Sequence, residues 1–161
     1  MSWLSPGDLF PALTVLRAGD GSISLPRDLA GSFGIVVFYR GSWCPYCNAQ
    51  LRGFQRATDS LTKVGAKVVA LSVDDEATTA ELIAKHGLTF PVGHSADAKA
   101  ISEKTGAIVD PDGGFLQSTG FILDPTGHVV ISVYSSGAIG RLVPEDAVGM
   151  LRYLRQHTPA S

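Results

Sequence analysis

The feature that most constrains the fold is an apolar run that leads directly into two closely spaced cysteines. Residues 34–39, Gly-Ile-Val-Val-Phe-Tyr, are apolar and rich in β-branched and aromatic side chains. Such a run predicts a strand buried on both faces, as in a parallel sheet covered by helices. After the second cysteine, apolar residues recur with the spacing of one helix face, at Leu51, Phe54, Leu61 and Val64. The sequence therefore predicts a strand, a dithiol and a helix in immediate succession.

Further along the chain, strand and helix patterns continue to alternate, and glycine and proline mark the turns. Parallel crossovers come first and an antiparallel hairpin comes last. The pattern thus predicts an α/β fold with a central mixed sheet flanked by helices and an N-terminal β-hairpin extension. The predicted elements are a hairpin at 13–16 and 22–25, a helix ending at Gly65, a strand at 67–73, a helix capped by Asp74 and Asp75 and ending at Gly87, a strand at 90–92, a helix at 95–105, an irregular excursion at 107–118, a hairpin at 121–123 and 129–134, and a final helix from Pro144.

Length and composition restrict the classes of function. The 161 residues contain no repeat, linker or low-complexity segment, which predicts a single domain over residues 1–161. A formal net charge of −2 provides no basic field for nucleic acid or an anionic membrane. The first residues lack the basic and apolar parts of a signal peptide, and no apolar run approaches the ~18 residues of a membrane span. The sequence predicts a cytoplasmic protein that binds neither nucleic acid nor a membrane.

The two cysteines, Cys44 and Cys47, lie three residues apart at the start of the predicted helix. Two thiols this close restrain little chain, so we expect their role to be chemical rather than structural. Unpaired N–H groups and the positive end of the helix dipole stabilise a thiolate there and bring its pKa below the free value of ~8.5. Cys47 shares the buried stripe of the helix, whereas Cys44 stands at its mouth. This geometry predicts that Cys44 is the more accessible sulfur.

Two other uses of a Cys-x-x-Cys pair fit less well. A closed zinc site needs four ligands, and the histidines at positions 86, 94, 128 and 157 have no ligand spacing with each other or with the cysteines. Inert core cysteines would not need Pro45 at a helix start, nor Trp43 and Tyr46 beside it. We therefore expect redox chemistry at the pair, with no bound metal and no organic cofactor.

Residues 38–47 read Phe-Tyr-Arg-Gly-Ser-Trp-Cys-Pro-Tyr-Cys. This segment resembles the active-site strand and loop of the peroxiredoxin-like redoxins with a Trp-Cys-Pro-x-Cys centre, the alkyl hydroperoxide reductase/thiol-specific antioxidant group of the thioredoxin superfamily. Weaker similarities at residues 7–11, 68–74 and 121–125 follow in the family's order, so the resemblance runs from about Gly7 to Leu154. It implies a thioredoxin-like fold and a thiol-dependent oxidoreductase.

The predicted site departs from the patterns of both branches of that superfamily. Peroxiredoxins place Pro-x-x-x-Thr/Ser-x-x-Cys around the peroxide-reactive cysteine, and alignment puts Arg40 at the proline, Cys44 at the threonine and Cys47 at that cysteine. Thioredoxins attack with the first cysteine, here Cys44. Three residues before Phe121, thioredoxins carry a cis-proline and peroxiredoxins an arginine, whereas this chain has Ser118. The resemblance leaves open which cysteine attacks a peroxide, while accessibility predicts Cys44 for protein disulfides.

Side chains around the dithiol complete the predicted site. The catalytic residues are Cys44 and Cys47, and the substrate-binding candidates are Arg40, Trp43, Pro45, Tyr46, Ser118 and Thr119. Arg40 either supplies the charge of the missing peroxiredoxin arginine or is a surface arginine at a strand end. Trp43 and Tyr46 either wall the site or have a plain packing role. The sequence suggests no role for Arg141.

Three functions fit these residues. The first is an antioxidant thiol peroxidase, in which the dithiol becomes a disulfide as a hydroperoxide is reduced. The second is a thioredoxin-like disulfide oxidoreductase, in which the second cysteine resolves a mixed disulfide with the substrate. The third is a non-catalytic redoxin-fold module for binding or redox sensing. Both enzymes need an external electron donor, a thioredoxin or a low-molecular-weight thiol, and the oligomeric state, including a homodimer, is left open.

Overall fold

The strands and helices alternate as the sequence predicts. The computed structural model describes residues 3–157. Its strands are β1 (Leu13–Arg17), β2 (Ser22–Leu25), β3 (Phe33–Phe38), β4 (Ala66–Leu71), β5 (Val92–His94), β6 (Thr119–Leu123) and β7 (Val129–Tyr134). Its helices are α1 (Pro45–Arg56), α2 (Thr58–Lys63), α3 (Glu76–His86), α4 (Ala98–Thr105) and α5 (Pro144–His157), and a short 3-10 helix spans Arg27–Leu29. None of these helices has the length and apolar content that a bilayer crossing demands.

All the strands join one sheet, in the order β2-β1-β5-β4-β3-β6-β7. The central strands β3, β4 and β5 are parallel, and the remaining pairings are antiparallel. The β6–β7 hairpin forms one edge, and the β1–β2 hairpin extends the other through the pairing of Leu16 with His94. The predicted α/β class, with a mixed sheet, flanking helices and an N-terminal hairpin, is confirmed. A single domain over residues 1–161 stays a prediction, because residues 1, 2 and 158–161 lie outside the described part.

Each face of the sheet buries its own apolar core. On one face, Val37 of β3 and the following Tyr39 lie beneath α1, α2, α3 and α5, together with both cysteines. On the other face, Val36 and Phe38 contact α4, the N-terminal hairpin and Phe10. Neighbouring strand residues point to opposite faces, so the alternation along β3 decides which helices cover which core. The dithiol belongs to the face covered by α1.

The predicted single helix that ends at Gly65 is two helices, α1 and α2, with a break at Ala57. The hydroxyl of Thr58 donates a hydrogen bond to the carbonyl of Gln55 at 2.6 Å. A threonine hydroxyl bonded to the preceding turn competes with the helical backbone, which explains why the helix is interrupted there. The apolar stripe continues across the break, since Leu61 in α2 is buried.

Two further boundaries lie later than the sequence predicts. Helix α4 begins at Ala98 rather than Ser95, because the Asp97 carboxylate accepts the N–H of Ala100 and caps the helix there. Strand β5 begins at Val92 rather than at residue 90. Neither shift changes the order of the elements, because each boundary is set by a local cap or pairing.

The two aspartates before α3 have different partners. Asp75 caps α3 by accepting the N–H of Thr78 at 2.8 Å, as predicted. Asp74 does not cap the helix, since its Oδ2 accepts the N–H of Ser42, 2.8 Å away. Burial, with the nearby charge of Asp75, raises the pKa of Asp74 against the lowering effect of that hydrogen bond. Asp74 therefore ties the end of β4 to the loop that leads into Cys44.

Candidate active site

Cys44 occupies the N-cap position of α1, and its sulfur completes the first turn. Its Sγ accepts the backbone N–H of Cys47 at 3.3 Å, and Pro45 is the first residue of the helix. Proline suits that position because its missing N–H would have no helical partner there. The predicted succession of strand, dithiol and helix is confirmed, and it places Cys44 at the positive end of the helix dipole.

Cys47 lies on the buried face of α1. Its Sγ accepts the backbone N–H of Arg40 at 3.3 Å and a hydrogen bond from Nη2 of Arg141 at 3.7 Å. It shares the apolar stripe of Leu51 and Phe54, as the sequence predicts. Both cysteines are free thiols in this structure.

The structure exposes neither sulfur, since Cys44 and Cys47 are both 0% exposed, and the greater accessibility of Cys44 stays a prediction. Cys44 turns its sulfur inward to cap the helix, and Nη1 of Arg40 lies 3.8 Å from that sulfur. The rings of Trp43 and Phe115 lie against the guanidinium, 4.9 and 5.1 Å from its carbon. A bulky partner therefore cannot reach either sulfur in this conformation.

Arg40 lies against the dithiol rather than free on the surface. Its Nε donates a hydrogen bond to Oε1 of Gln117 at 2.9 Å, while Nη1 faces Cys44. Gln117 is only 5% exposed, and its Nε2 donates to Oδ1 of Asp110 at 3.3 Å. A planar guanidinium with several donors suits such a double contact. Of the two interpretations of Arg40, the structure favours the one that brings positive charge to the dithiol.

Arg141 is the site residue to which the sequence assigned no role. Its Nη2 donates to Cys47 Sγ, its Nη1 donates to Oε1 of Gln50 at 2.8 Å, and its Nε donates to the carbonyl of Ala138 at 3.1 Å. Gln50 is buried on α1, and its Nε2 in turn donates to the carbonyl of Leu142 at 2.7 Å. No local pattern marks Arg141, because its partner Cys47 is 94 residues away in the chain.

The surroundings move the pKa values of the two thiols in opposite directions. Burial raises the pKa of Cys44, but hydrogen bonds from the Cys47 thiol, the Cys47 N–H and Arg40, with the charge of Arg141, outweigh it and lower the pKa. Burial raises the pKa of Cys47, and the bond that it donates to Cys44 raises it further, against the donors Arg40 and Arg141. The first proton to leave the pair therefore leaves a thiolate on Cys44 that the Cys47 thiol stabilises.

The aromatic candidates lie at the rim of the site. Trp43 and Tyr46 are 54% and 55% exposed, which is not the exposure of residues with a plain packing role. Trp43 covers Arg40, whereas Tyr46 lines a groove of about 350 Å³ with Ile139 and Arg141. The structure thus places Trp43 on the Cys44 side of the site and Tyr46 on the side of Arg141.

Ser118 and Thr119 point to opposite faces of the sheet. Thr119 pairs with Phe38 and so shares the face that is turned away from the dithiol, where its hydroxyl donates to the carbonyl of Gln117 at 3.0 Å. Ser118 precedes Thr119 and, by the alternation of an extended chain, takes the opposite face, that of the dithiol. Its hydroxyl is buried with no hydrogen-bond partner among the described residues. Of these two candidates, only Ser118 lies on the dithiol side.

The donor set suits a thiolate rather than a metal ion. Within residues 3–157, no three His, Cys, Asp or Glu side chains are grouped closely enough to hold a metal ion. The groups that surround the sulfurs are N–H donors and two guanidinium groups, all of which stabilise negative charge. The arrangement can therefore activate a sulfur nucleophile.

The model of the AhpC/TSA family matches residues 6–132 of this chain. A peroxiredoxin of Treponema denticola is 31% identical over 145 residues, which cover 86% of this chain and 68% of that protein. A peroxiredoxin of Chlorobaculum tepidum is 29% identical over 145 residues, which cover 86% of this chain and 67% of that protein. These matches include the segment that carries both cysteines.

Solved structures share the same fold. AhpC of Mycobacterium tuberculosis is similar with a TM-score of 0.81 at 21% identity, over 99% of this chain and 98% of that one. AhpC of Enterococcus faecalis is similar with a TM-score of 0.80 at 17% identity, over 97% of each chain. At such identities the likeness is one of fold, and it confirms the thioredoxin-like α/β architecture.

Proposed function

Since the chain belongs to the AhpC/TSA family, the peroxiredoxins, we propose that it is a thiol-dependent peroxidase whose Cys44 and Cys47 pass from dithiol to disulfide as a hydroperoxide is reduced. One observation carries the proposal. Two sulfurs lie at a helix N-terminus, and each faces a guanidinium group, Arg40 at Cys44 and Arg141 at Cys47. Positive groups stabilise both the attacking thiolate and the charge that develops on the leaving oxygen.

The first step is attack of the Cys44 thiolate on the distal oxygen of the hydroperoxide. A sulfur–oxygen bond forms and the oxygen–oxygen bond breaks, so Cys44 becomes a sulfenic acid. The electron pair of the broken bond leaves with the alkoxide, which takes a proton and departs as an alcohol, or as water when the substrate is hydrogen peroxide. Arg40 and Arg141 lie where they can stabilise this negative charge.

The second step is condensation within the pair. The Cys47 sulfur attacks the sulfenic sulfur, a Cys44–Cys47 bond forms, and the hydroxyl leaves as water with the thiol proton. Two thiols of an external donor, a thioredoxin or a low-molecular-weight thiol, then reduce the disulfide and become a disulfide themselves. The cycle balances without a metal or an organic cofactor. It also requires a supply of reduced donor thiol, which a reducing cytoplasm provides.

The choice of Cys44 as the attacking sulfur rests on the direction of the pKa shifts and on the helix cap. The pKa of Cys44 is lowered, whereas burial holds the pKa of Cys47 above its ordinary value. Cys44 also receives the N–H of the first turn directly. Alignment with the peroxiredoxin pattern instead puts Cys47 at the reactive position, so the assignment needs its own test.

Trapping of the first product separates the two assignments. Reduced Cys47→Ser protein, treated with an equivalent of peroxide and dimedone, should carry one adduct on Cys44 by peptide mass spectrometry. Cys44→Ser protein should carry far less adduct on Cys47. The reverse pattern would assign the attack to Cys47. If the reduced wild-type protein reacts with peroxide no faster than free cysteine, the peroxidase proposal itself fails.

The burial of the dithiol does not separate the peroxidase from a thioredoxin-like disulfide oxidoreductase. Both sulfurs are fully covered here, so a hydroperoxide, a protein disulfide or a donor thiol reaches them only after the surrounding residues move. Family membership is what favours the peroxidase over the disulfide oxidoreductase. A non-catalytic module would have no need of two guanidinium groups directed at a free dithiol. The peroxidase is therefore the proposal that accounts for the most of the site, and the homodimer stays a prediction.

A further inference from the structure

The excursion between α4 and β6, residues 107–118, holds no cysteine but supports the charge at Cys44. Oε1 of Gln117 accepts Nε of Arg40 at 2.9 Å, and Nε2 of Gln117 donates to Oδ1 of Asp110 at 3.3 Å. The Asp110 carboxylate thereby orients the amide of Gln117, and the amide oxygen holds the guanidinium of Arg40. Gln117 is 5% exposed, so water competes little for these contacts.

The same aspartate also shapes the tip of the excursion. Oδ2 of Asp110 accepts the N–H of Gly113 at 2.6 Å and that of Asp112 at 3.2 Å. Such a bond from an aspartate to the backbone a few residues ahead stabilises a turn. One carboxylate thus links the conformation of the turn to the orientation of the Gln117 amide.

Two aromatic rings hold the Arg40 guanidinium from the solvent side. The rings of Trp43 and Phe115 meet edge to face with centroids 4.9 Å apart, and both lie within cation–π distance of the guanidinium. Each ring packs on a glycine, Trp43 on Gly41 and Phe115 on Gly113, where a Cβ atom would overlap the ring. Arg40 is therefore held by the excursion through both Gln117 and Phe115.

From this arrangement we propose that Gln117 is a positioning residue, which acts through Arg40 and makes the excursion a determinant of Cys44 reactivity. Without the Gln117 oxygen, Nε of Arg40 loses its acceptor, and Nη1 can move away from the Cys44 sulfur. Removing Gln117 should then have the same consequence as removing the Arg40 charge, only smaller. The inference rests on the proposed function for its purpose, but it concerns thiol reactivity, which is measured without peroxide.

The test uses the full-length Cys47→Ser protein, in which Cys44 is the one remaining thiol of the sequence. The rate of iodoacetamide alkylation is measured against pH for this protein and for the added variants Arg40→Met, Gln117→Met and both together. We expect Gln117→Met to slow alkylation at about pH 6.5 roughly fivefold, and rates to converge at high pH where every protein is a thiolate. The double variant should match Arg40→Met alone, because Gln117 acts through Arg40.

The matched control is Gln55→Met. Gln55 lies on α1, the helix of the dithiol, and its side chain is hydrogen-bonded to Thr89. Loss of these bonds should leave the alkylation profile unchanged. Asp110→Asn provides a second route if Gln117→Met does not fold. In this variant the remaining side-chain oxygen can still accept the N–H groups of the turn, while the new amide nitrogen cannot accept a hydrogen bond from Nε2 of Gln117. We expect a shift of the same sign and smaller size.

An unchanged profile for the folded Gln117 and Asp110 variants, or additive effects of Gln117→Met and Arg40→Met, would overturn the positioning role. A shifted profile in a protein without peroxidase activity would leave that role intact and overturn the proposed function instead. The two failures are therefore distinguishable.

Discussion

The two sides of the dithiol carry the same positive group but support it in different ways. At Cys47, Arg141 is bound by Gln50, a buried residue of helix α1, and by the carbonyl of Ala138. At Cys44, Arg40 lies two residues after the end of β3 and is bound by Gln117 of an excursion without helix or strand. The first guanidinium is supported by a regular element that also carries the cysteine, and the second by a turn with an exposed tip.

This difference matters because the proposed mechanism gives the two thiols different chemical tasks. The pKa of Cys44 is lowered by bonds from Cys47 and Arg40, so its reactivity depends on where the Arg40 side chain lies. The pKa of Cys47 is raised mainly by burial, which any well-packed helix maintains. In the proposed mechanism, the attacking thiol is thus supported by the excursion, and the resolving thiol is supported by helix α1. Variants made in pairs, one on each side of the dithiol, test this difference.

The largest effect is expected from the sulfurs themselves. Cys44→Ala should slow the single-turnover reaction of reduced protein with peroxide roughly a thousandfold or more, because it removes the nucleophile. Cys47→Ala should retain the first turnover and lose only disulfide formation. Stopped-flow measurement of peroxide consumption under single-turnover conditions checks both. Equal losses in the two variants would mean that the sulfurs do not have separate tasks.

A smaller effect is expected from the arginines. Arg40→Met should slow alkylation of Cys44 at about pH 6.5 roughly tenfold, since it removes a charge-assisted hydrogen bond to the thiolate. Arg141→Met should slow it only about threefold, because Arg141 acts on Cys44 by charge and donates to the other sulfur. Peptide mass spectrometry after timed alkylation distinguishes the two cysteines. A larger slowing by Arg141→Met than by Arg40→Met would show that Arg141 contributes more than Arg40 to the reactivity of Cys44.

The aromatic residues at the rim should have a smaller effect again. Phe115→Leu removes one ring of the pair that holds Arg40 and should slow Cys44 alkylation about twofold. Tyr46→Leu removes an exposed ring on the Arg141 side and should leave the rate unchanged. The same alkylation assay reports both, and thermal melting controls for folding. A changed alkylation rate with Tyr46→Leu but not with Phe115→Leu would show that Cys44 reactivity depends on the Arg141 side of the site rather than on the Arg40 side.

The smallest signal, but one with a defined sign, is the pH dependence of stability in the single-cysteine variants. In Cys47→Ser, the serine hydroxyl can donate the hydrogen bond that the Cys47 thiol donates to Cys44, so we expect folding still to lower the pKa of Cys44. Stability is then complete above the unfolded pKa of ~8.5 and is lost as pH falls through the folded pKa. In Cys44→Ser, folding raises the pKa of Cys47, so stability is present below ~8.5 and is lost as pH rises.

Urea unfolding of each variant between about pH 7 and about pH 9.5 should therefore give opposite slopes of the free energy of unfolding. The variant that lacks both cysteines provides the baseline, because it retains every other titrating group. Slopes of the same sign after subtraction of that baseline would show that the two thiols lie in equivalent surroundings.

Local sequence was enough to predict most of the framework. The apolar run at 34–39, the helical spacing after Cys47 and the proline at the start of α5 each specify an element by interactions within a few residues. The same locality made the dithiol at a helix N-terminus predictable. It also explains the errors, since the break at Ala57 and the cap at Asp97 depend on which side-chain oxygen reaches the backbone first.

The surroundings of the sulfurs were decided by the tertiary structure alone. Arg40 meets Gln117 across 77 residues and Arg141 meets Cys47 across 94, distances at which no periodicity or spacing carries a signal. Cys44 is buried because its sulfur turns inward to cap α1 and faces Arg40, so a position at the helix mouth did not make it exposed. The position of two thiols at the start of a helix could be predicted from the sequence, because it depends on neighbours in the chain. Which thiol is charged, covered and free to react depends on neighbours in space, and only the folded sheet brings them together.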